Sequence, residues 1–446
     1  HIVLPREELH RFLRTQLPMH SRLYNDLKAK HFVIDEDSSI ALELLAAKYR
    51  TKQSHLANFT ALHMFVVTLR CEHSCPYCQV SRQSEDKSAF DMTEEMADRA
   101  IDFLFHSPSR SLKVEFQGGE TLLNFPLIQY IVDQVERRNQ NEDREIQFVI
   151  ATNLALITDP VLQYCLEHDI YISTSLDGPR ELHNKNRPRP GRDSYERVVD
   201  GIRRVREFLG PHKVSALMTT TVESLSQPFE IIDEYLRQGF HSIFLRSISP
   251  YGFAVKTGWA NAYHIEEWLE FYKKGLDYII GLNKSGVFFR EEYSAIILRK
   301  LLTPFPTGYV DLQSPAGIGI AAIVFNYDGD VYASDEARML AEMGDKQFRL
   351  GNLFEDTYKD IMGSPQLIET LLESMAEGVP CCSECAVQPY CGSDPVYHHA
   401  VQGDVVGYKP TSGFCRKNME VIKHLVRLLE DDEEAGQVLK NWVCSC

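Results

Sequence analysis

Nothing in this sequence of 446 residues reads as a membrane anchor, because no apolar run reaches the about 18 residues that a spanning helix needs. Positive charge is also in short supply. Lys and Arg number 47 against 63 Asp and Glu, a formal net charge of -16. That balance argues against a nucleic-acid binder, since phosphate contacts need clustered Lys and Arg. It would suit a basic peptide partner, and a solvated acidic surface accounts for it as simply. A starting Met and a signal-peptide pattern are missing from His1-Ile2-Val3-Leu4-Pro5, and the expectation is a chain that begins inside a longer one. Disorder is excluded by 44% hydrophobic residues, enough for a sizeable core. The 11 cysteines are clustered rather than spread. In a long chain without a secretion signal, clustering favours metal ligation in a reducing cytosol over disulfides.

The most informative cluster is Cys71-Glu72-His73-Ser74-Cys75-Pro76-Tyr77-Cys78, which follows the apolar run Met64-Phe65-Val66-Val67-Thr68-Leu69. Three cysteines in C-x3-C-x2-C spacing therefore sit where a strand gives way to a loop. A structural zinc site closes its shell with four ligands, and a closed iron–sulfur cluster takes four thiolates. Three thiolates hold a [4Fe–4S] cluster with one iron left open to a small molecule. A zinc knuckle and a set of buried free thiols are the competing readings.

The pattern resembles the C-x3-C-x-aromatic-C signature of the radical S-adenosylmethionine enzymes, with Tyr77 as the aromatic. The resemblance implies that S-adenosylmethionine chelates the open iron through its amino and carboxylate groups. Reductive cleavage would then give a 5'-deoxyadenosyl radical that abstracts a hydrogen atom from the substrate.

Periodicity supports a matching fold. Strands are expected at 64–70, 113–118, 146–152, 170–176, 213–221 and 242–248, alternating with helices near 93–106, 125–138, 159–168, 194–209, 228–238 and 264–283. Six βα units in a row imply a parallel sheet covered by helices, an α/β fold with ligands at the C-terminal strand ends. The family has such a partial (β/α)6 barrel, like an incomplete TIM barrel. The expected domains are residues 1–60, a small α+β module for peptide recognition or packing, then 61–285, the barrel, and 286–446, an iron–sulfur domain. In the first, Leu9, Phe12, Leu13 and Leu17 have helical spacing, as do Leu23 with Leu27 and Leu42 with Leu44 and Leu45. His31-Phe32-Val33-Ile34 reads as a short strand before Asp35-Glu36-Asp37.

Strand two ends in Gln117-Gly118-Gly119-Glu120-Thr121. Two glycines allow close approach of backbone to a ligand, and the carboxylate offers an ammonium acceptor. By itself such a run is an ordinary turn. Here it resembles the family's GGE motif for the methionine amine, with Thr121 where Pro is usual. Strand three ends in Thr152-Asn153, also family-like. Strand four leads through Ser175-Leu176-Asp177-Gly178-Pro179 to Arg187, where the resemblance implies that Ser175 and Arg187 hold the ribose or carboxylate of the cofactor. Asp177 by itself reads as a turn residue. Arg246, in the last barrel strand, points either to the site or to a buried ion pair.

A second cluster reads Cys382-x2-Cys385-x5-Cys391 with a distant Cys415, four thiolates for a closed [4Fe–4S] cluster or zinc. Its spacing resembles the SPASM extension of radical peptide maturases, which favours iron–sulfur. That extension usually carries two auxiliary clusters. The hairpin that the first one flanks is expected from Ala321 to Val331 with an Asp328-Gly329 turn. Its cysteine positions are occupied by Ser314, Ser334 and Pro395, so one auxiliary cluster is expected. Cys381 is a spare thiol or a ligand in a shifted register. Cys165 reads as a buried small hydrophobe, and Cys444 with Cys446 as a tail.

The stretches from Leu62 to Gln83 and around Phe414-Cys415 most resemble the B-type radical maturases of the His-Xaa-Ser systems. The resemblance implies a cytoplasmic enzyme that oxidatively modifies side chains of a ribosomally made precursor peptide, by a crosslink or a related change. A partner maturase and an electron donor such as flavodoxin or ferredoxin would accompany it, with no nucleic acid and no membrane. A formylglycine-type sulfatase maturase and a non-catalytic iron–sulfur scaffold are the alternatives. Asp394, Arg246 and His398 are the candidate catalytic groups.

Overall fold

The computed structural model describes residues 2–34 and 39–444. Its centre is β1 (Leu62–Thr68), whose Phe65, Val66 and Val67 are buried on both faces of the sheet. A strand covered on both sides has no use for alternation, which is why this run is apolar throughout. Parallel to it and in order lie β2 (Ser111–Gly118), β3 (Glu145–Ala151), β4 (Tyr171–Ser175) and β5 (Val214–Leu217). Helices Glu94–Leu104, Phe125–Asn139, Asp159–Glu167 and Ser194–Leu209 connect them, and each buries one apolar face. With helix Pro228–Arg237 after β5, these five βα units match the periodicity of the sequence to within a few residues.

The sixth strand does not follow the expectation. β6 is only Ser242–Ile243 and pairs with β7 (Arg290–Glu291) in a separate two-stranded sheet. Beyond Ile243 the buried Glu291 carboxylate accepts the Leu245 N–H, replacing a ladder partner. One backbone bond, Thr220 N–H to Arg246 C=O, keeps the segment alongside the end of β5.

The expected hairpin forms and does something the sequence does not announce. β8 (Ala322–Phe325) pairs parallel with β1 on the side opposite β2. β9 (Asp330–Tyr332) and β10 (Arg349–Asn352) then extend the sheet antiparallel to eight strands, in the order β10-β9-β8-β1-β2-β3-β4-β5. Residues past 285 thus share one sheet with the barrel. Phe325 fills the junction, with ring centroids 5.0 Å from Phe65 and 5.3 Å from Phe103. At the far end, helices Gly413–Asp431 and Glu433–Cys444 pack on Ile265–Lys284.

The described part of residues 1–60 is helical: Arg6–Leu13, Arg22–Ala29 and Ile40–Lys52, with a short 3-10 turn at Ser54–Asn58. The strand expected at 31–34 is absent. The Phe32 N–H bonds back to Leu27 C=O and the His31 N–H to Lys28 C=O, with His31 at φ 64, so these residues cap the preceding helix instead. Asp35, Glu36, Asp37 and Cys446 lie outside the described residues. Lys52 donates to Pro389 C=O and Gln53 to Ser314 C=O, which packs this region on the C-terminal one, while Leu42, Leu44 and Leu45 stay exposed.

Phe325→Ala removes a buried ring from the β1–β8 junction and is expected to cost about 3–5 kcal/mol in denaturant unfolding. A cost below about 1 kcal/mol would show that the hairpin is not part of the same packed core.

Candidate active site

All the C-terminal strand ends open on one cavity. Cys71, Cys75, Cys78, Tyr77, Gly118, Gly119, Asn153, Ser175, Arg187 and Arg246 line it together. They come from the cysteine loop after β1, from the ends of β2, β3 and β4, from the segment after Ile243 and, for Arg187, from the end of helix Arg180–Asn186, on the side of the sheet where a parallel sheet directs its ligands.

The two glycines have a reason that the sequence left open. A Cβ on Gly118 would stand 1.9 Å from the Thr68 carbonyl oxygen, and one on Gly119 would stand 2.3 Å from that of Arg70. Side chains there would drive the end of β2 away from the start of the cysteine loop. Gly118 also has φ +147, a conformation costly for any L side chain. The pair lets backbone meet backbone, so that the Glu120 N–H reaches the Arg70 C=O at 2.7 Å.

Glu120 is fully buried. Its carboxylate accepts from Thr152 Oγ1 at 2.6 Å, from the Asn153 N–H at 2.8 Å and from the Leu122 N–H at 3.0 Å. Burial, with the Glu72 carboxylate nearby, pushes its carboxyl up to about 7. The acceptor expected for an ammonium thus ties the ends of β2 and β3 together and positions Asn153. The Asn153 Nδ2 in turn donates to Glu72 Oε1 at 2.9 Å.

Cys71 Sγ, the Glu72 carboxylate and the His73 ring lie within 4.8 Å of one another, a grouping that a metal ion favours. Both His73 ring nitrogens are engaged, Nδ1 with Glu72 at 3.1 Å and Nε2 with Ser194 Oγ at 2.9 Å. Glu72 is held by Asn153 as well. These two side chains are therefore committed to the wall, and the donor set facing the cavity is three thiols. That set fits an iron–sulfur cluster with one open iron and does not fit a closed zinc site. Burial raises the Cys71 thiol and lifts Cys75 to about 12, so the positive charge of a bound metal would be needed to hold them as thiolates.

Asp177 is the residue that sequence reasoning undervalued. It is 0% exposed. Arg187 grips it in a fork, Nε to Oδ2 at 3.0 Å and Nη2 to Oδ1 at 3.2 Å, and the Tyr77 hydroxyl donates to Oδ2 at 2.5 Å. The Arg187 guanidinium also sits 5.5 Å from the Tyr77 ring centroid. The net effect, led against burial by Arg187 and His183, holds the Asp177 carboxyl below its usual range. The only sequence signal was a polar residue after a strand, which is what any turn shows.

Arg246 belongs to two cavities. On its far side lies a chamber of about 60 Å³ lined also by Tyr251, Asp311, Glu336, Asp394 and Lys417. Arg246, for which the sequence left a site role and a buried ion pair open, lines the first cavity and approaches Glu336 to 4.0 Å. Asp394 lines the chamber and caps helix Pro395–Gln402 through the Tyr397 N–H. His398 does not line it. Its Nδ1 meets Asp394 C=O at 2.6 Å and its Nε2 meets Ser412 Oγ at 2.9 Å, so it braces the loop from Gly403 to Ser412. Asp311, Glu336 and Lys417 carried no motif and were missed.

A third cavity, of about 290 Å³, is a cage of Cys382, Cys385, Cys391 and Cys415, with Cys381 and Lys409 on its wall. Phe414 lines both the cage and the chamber, so the three cavities run in a row. Four converging thiols fit a closed iron–sulfur cluster. Cys381 is exposed and has φ 67. Ser334 caps helix Asp335–Ala341, Pro395 starts helix Pro395–Gln402, and Ser314 Oγ accepts from the Ala376 N–H at 3.0 Å. Cys165 is buried in the core as expected.

Comparison with known proteins agrees with this geometry. The sequence profile of the Radical SAM superfamily matches residues 65–242. An uncharacterized protein of Methanocaldococcus jannaschii is 32% identical over 187 residues, 41% of this chain and 61% of the relative. The radical SAM cyclopropyl synthase TigE of Paramaledivibacter caminithermalis is 28% identical over 157 residues, 32% of each chain. A cysteine-type anaerobic sulfatase-maturating enzyme of Clostridium perfringens is 23% identical over 304 residues, 65% of this chain and 76% of the relative. The chain thus spans less than two thirds of the first two relatives. Among solved structures, anSMEcpe with bound AdoMet superposes with a TM-score of 0.67 at 17% identity, covering 85% of this chain and 99% of that one. SuiB of Streptococcus suis bound to its precursor peptide SuiA gives 0.52 at 14% identity, covering 90% and 85%. No described helix is long and apolar enough to cross a membrane. Strand order, the three-thiol loop and the profile converge: residues 65–242 form a domain of the Radical SAM superfamily, whose members are enzymes.

Proposed function

We propose that the chain is a cytoplasmic radical S-adenosylmethionine maturase that oxidatively modifies side chains of a ribosomally made precursor peptide, of the His-Xaa-Ser type. The observation that carries this reading is the row of three cavities, a three-thiol site, a polar chamber and a four-thiol cage. The relatives named above include a radical SAM cyclopropyl synthase and a structural neighbour bound to its precursor peptide, which favours a peptide substrate.

Cys71, Cys75 and Cys78 would hold a [4Fe–4S] cluster with S-adenosylmethionine, which would supply hydrogen-atom abstraction, and Cys382, Cys385, Cys391 and Cys415 would hold a second cluster, which would supply a one-electron acceptor. The protein's part is positioning. Arg187 spends two N–H donors on Asp177 and keeps others for a carboxylate. The Gly118-Gly119 backbone, Ser175 and Asn153 line the same cavity, with Asn153 fixed by Glu120. Tyr77 is held by Asp177 and seals the cysteine loop. Arg246 and Asp394 face the substrate side; a flavodoxin or ferredoxin supplies the electron and a partner maturase completes the system.

A sulfatase-maturating activity is the second reading, favoured by the 0.67 TM-score to anSMEcpe. Against it stand Ser314, Ser334 and Pro395 where that class carries further cluster cysteines, two of them in helix starts.

Anaerobically reconstituted protein is expected to hold about eight irons and about four once Cys71, Cys75 and Cys78 are changed to Ala. About twelve and eight would mean a third cluster, and zinc at the cage would remove the electron-acceptor role. Reduction with S-adenosylmethionine is expected to release 5'-deoxyadenosine from the parent and none from the triple variant. A parent that releases none is a scaffold and not an enzyme. Asp177→Asn is expected to weaken S-adenosylmethionine binding about tenfold in equilibrium dialysis at unchanged iron content. Unchanged affinity would confine Asp177 to tying the surrounding segments together, with no part in holding the cofactor.

A further inference from the structure

The chamber between the two thiol sites has a charge and hydrogen-bond inventory that its own walls do not balance. Its carboxyl groups are Asp311, Glu336 and Asp394, drawn from a 3-10 turn at Val310–Leu312, helix Asp335–Ala341 and the cap of Pro395–Gln402. Its cations are Arg246 and Lys417. Arg246 approaches Glu336 only to 4.0 Å. The Lys417 ammonium lies 5.4 Å and 5.7 Å from the ring centroids of Tyr293 and Phe414.

An independent observation points to a guest. Tyr251 is 1% exposed and its hydroxyl has no hydrogen-bond partner among the described residues. The same hydroxyl lies within the field of Asp394, Glu336 and Asp311, which raise it beyond the effect of burial. An orphaned buried hydroxyl costs about 1–3 kcal/mol unless something in the cavity answers it. Burial raises all three carboxyls, and repulsion from neighbouring carboxylates raises two of them further, Asp394 and Glu336, the latter to about 7. A cation placed among them would relieve that repulsion and offer a donor to the Tyr251 oxygen.

Size narrows the guest further. About 60 Å³ holds a few waters or one side-chain head group, and not a folded peptide segment. The chamber shares Arg246 with the cofactor cavity and Phe414 with the cage, so a side chain seated there stands between them. We propose that this chamber is a specificity pocket for a cationic, nitrogen-bearing side chain of the substrate peptide, received by Asp311, Glu336 and Asp394 with the Tyr251 hydroxyl. This rests on the peptide-maturase reading and deepens it.

The probes are blocked tripeptides Gly-Xaa-Gly with Lys, Arg, His, Leu or Glu at the centre, titrated calorimetrically into the iron-loaded full chain with S-adenosylmethionine present. At least one of the Lys, Arg and His peptides is expected to bind about tenfold tighter than both the Leu and Glu peptides. The double variant Glu336→Gln with Asp394→Asn is expected to erase that preference. Asn retains capping ability at position 394, and unchanged iron content and S-adenosylmethionine affinity report that the variant is folded. Tyr251→Phe, a milder change, is expected to weaken the preferred peptide severalfold and leave the Leu peptide unaffected. Equal binding of all five peptides, no binding of any, tighter binding of Leu or Glu, or a preference that survives both variants overturns the proposal. Deoxyadenosine release separates the two failures. If the parent releases it but shows no cationic preference, only the pocket assignment falls; if it releases none, the underlying reading falls first.

Discussion

The buried Asp177 carboxylate is the constraint on which the cofactor side of the molecule depends. It follows β4, yet its partners come from the cysteine loop through Tyr77, from the helix after β4 through Arg187 and from the end of β5 through the Thr219 N–H. A charge removed from water is tolerated only when its partners are complete, and breaking such a set is strongly destabilising. Three segments that are far apart in sequence are therefore held at one point, next to the thiols. The glycine pair acts in the same way on the other side, where lack of side chains lets the end of β2 close on Arg70.

The catalytic chemistry of this architecture comes from groups the chain binds, and the chain's own work is to set distances and polarity. β1 supplies the reference frame, since it pairs with β2 on one side and with β8 on the other. Because β8 belongs to the hairpin of the C-terminal region, that region enters the same sheet. The cysteine cage is thus registered to the cysteine loop through packed rings, Phe65 and Phe325 above all. A rigid frame of this kind suits radical chemistry, in which the reacting atoms must be held close and water kept out.

Much of this was legible in the chain itself. The five βα units and the hairpin were visible as segments of strand length between helical periods, continuously apolar from Met64 to Val67 in β1 and throughout β8, which are covered on both faces, and alternating in β2, where Leu112, Val114 and Phe116 are the buried residues. The short strand ending at Ile243 was not, because Phe244-Leu245 is as apolar as a strand and the side chain that intercepts it, Glu291, lies 46 residues on. The helical cap at His31-Phe32 was likewise hidden in an apolar run that looks like a strand.

The cysteine-loop thiols and three of the cage's four, Cys382, Cys385 and Cys391, were set close together by the sequence alone, while the distant Cys415 joins them through the tertiary structure. Residues three to six positions apart cannot separate far in space, so C-x3-C-x2-C and C-x2-C-x5-C are local ligand sets in any fold. The chamber was decided by the tertiary structure alone. Arg246, Tyr251, Asp311, Glu336, Asp394 and Lys417 are scattered from the last part of the barrel to helix Gly413–Asp431, and no spacing links them. They meet because β8 docks on β1 and because helix Gly413–Asp431 lies against Ile265–Lys284. Charge placed by such long-range packing has no local pattern to reveal it, and the same packing made Asp177 a buried anchor rather than the exposed turn residue its neighbours suggest.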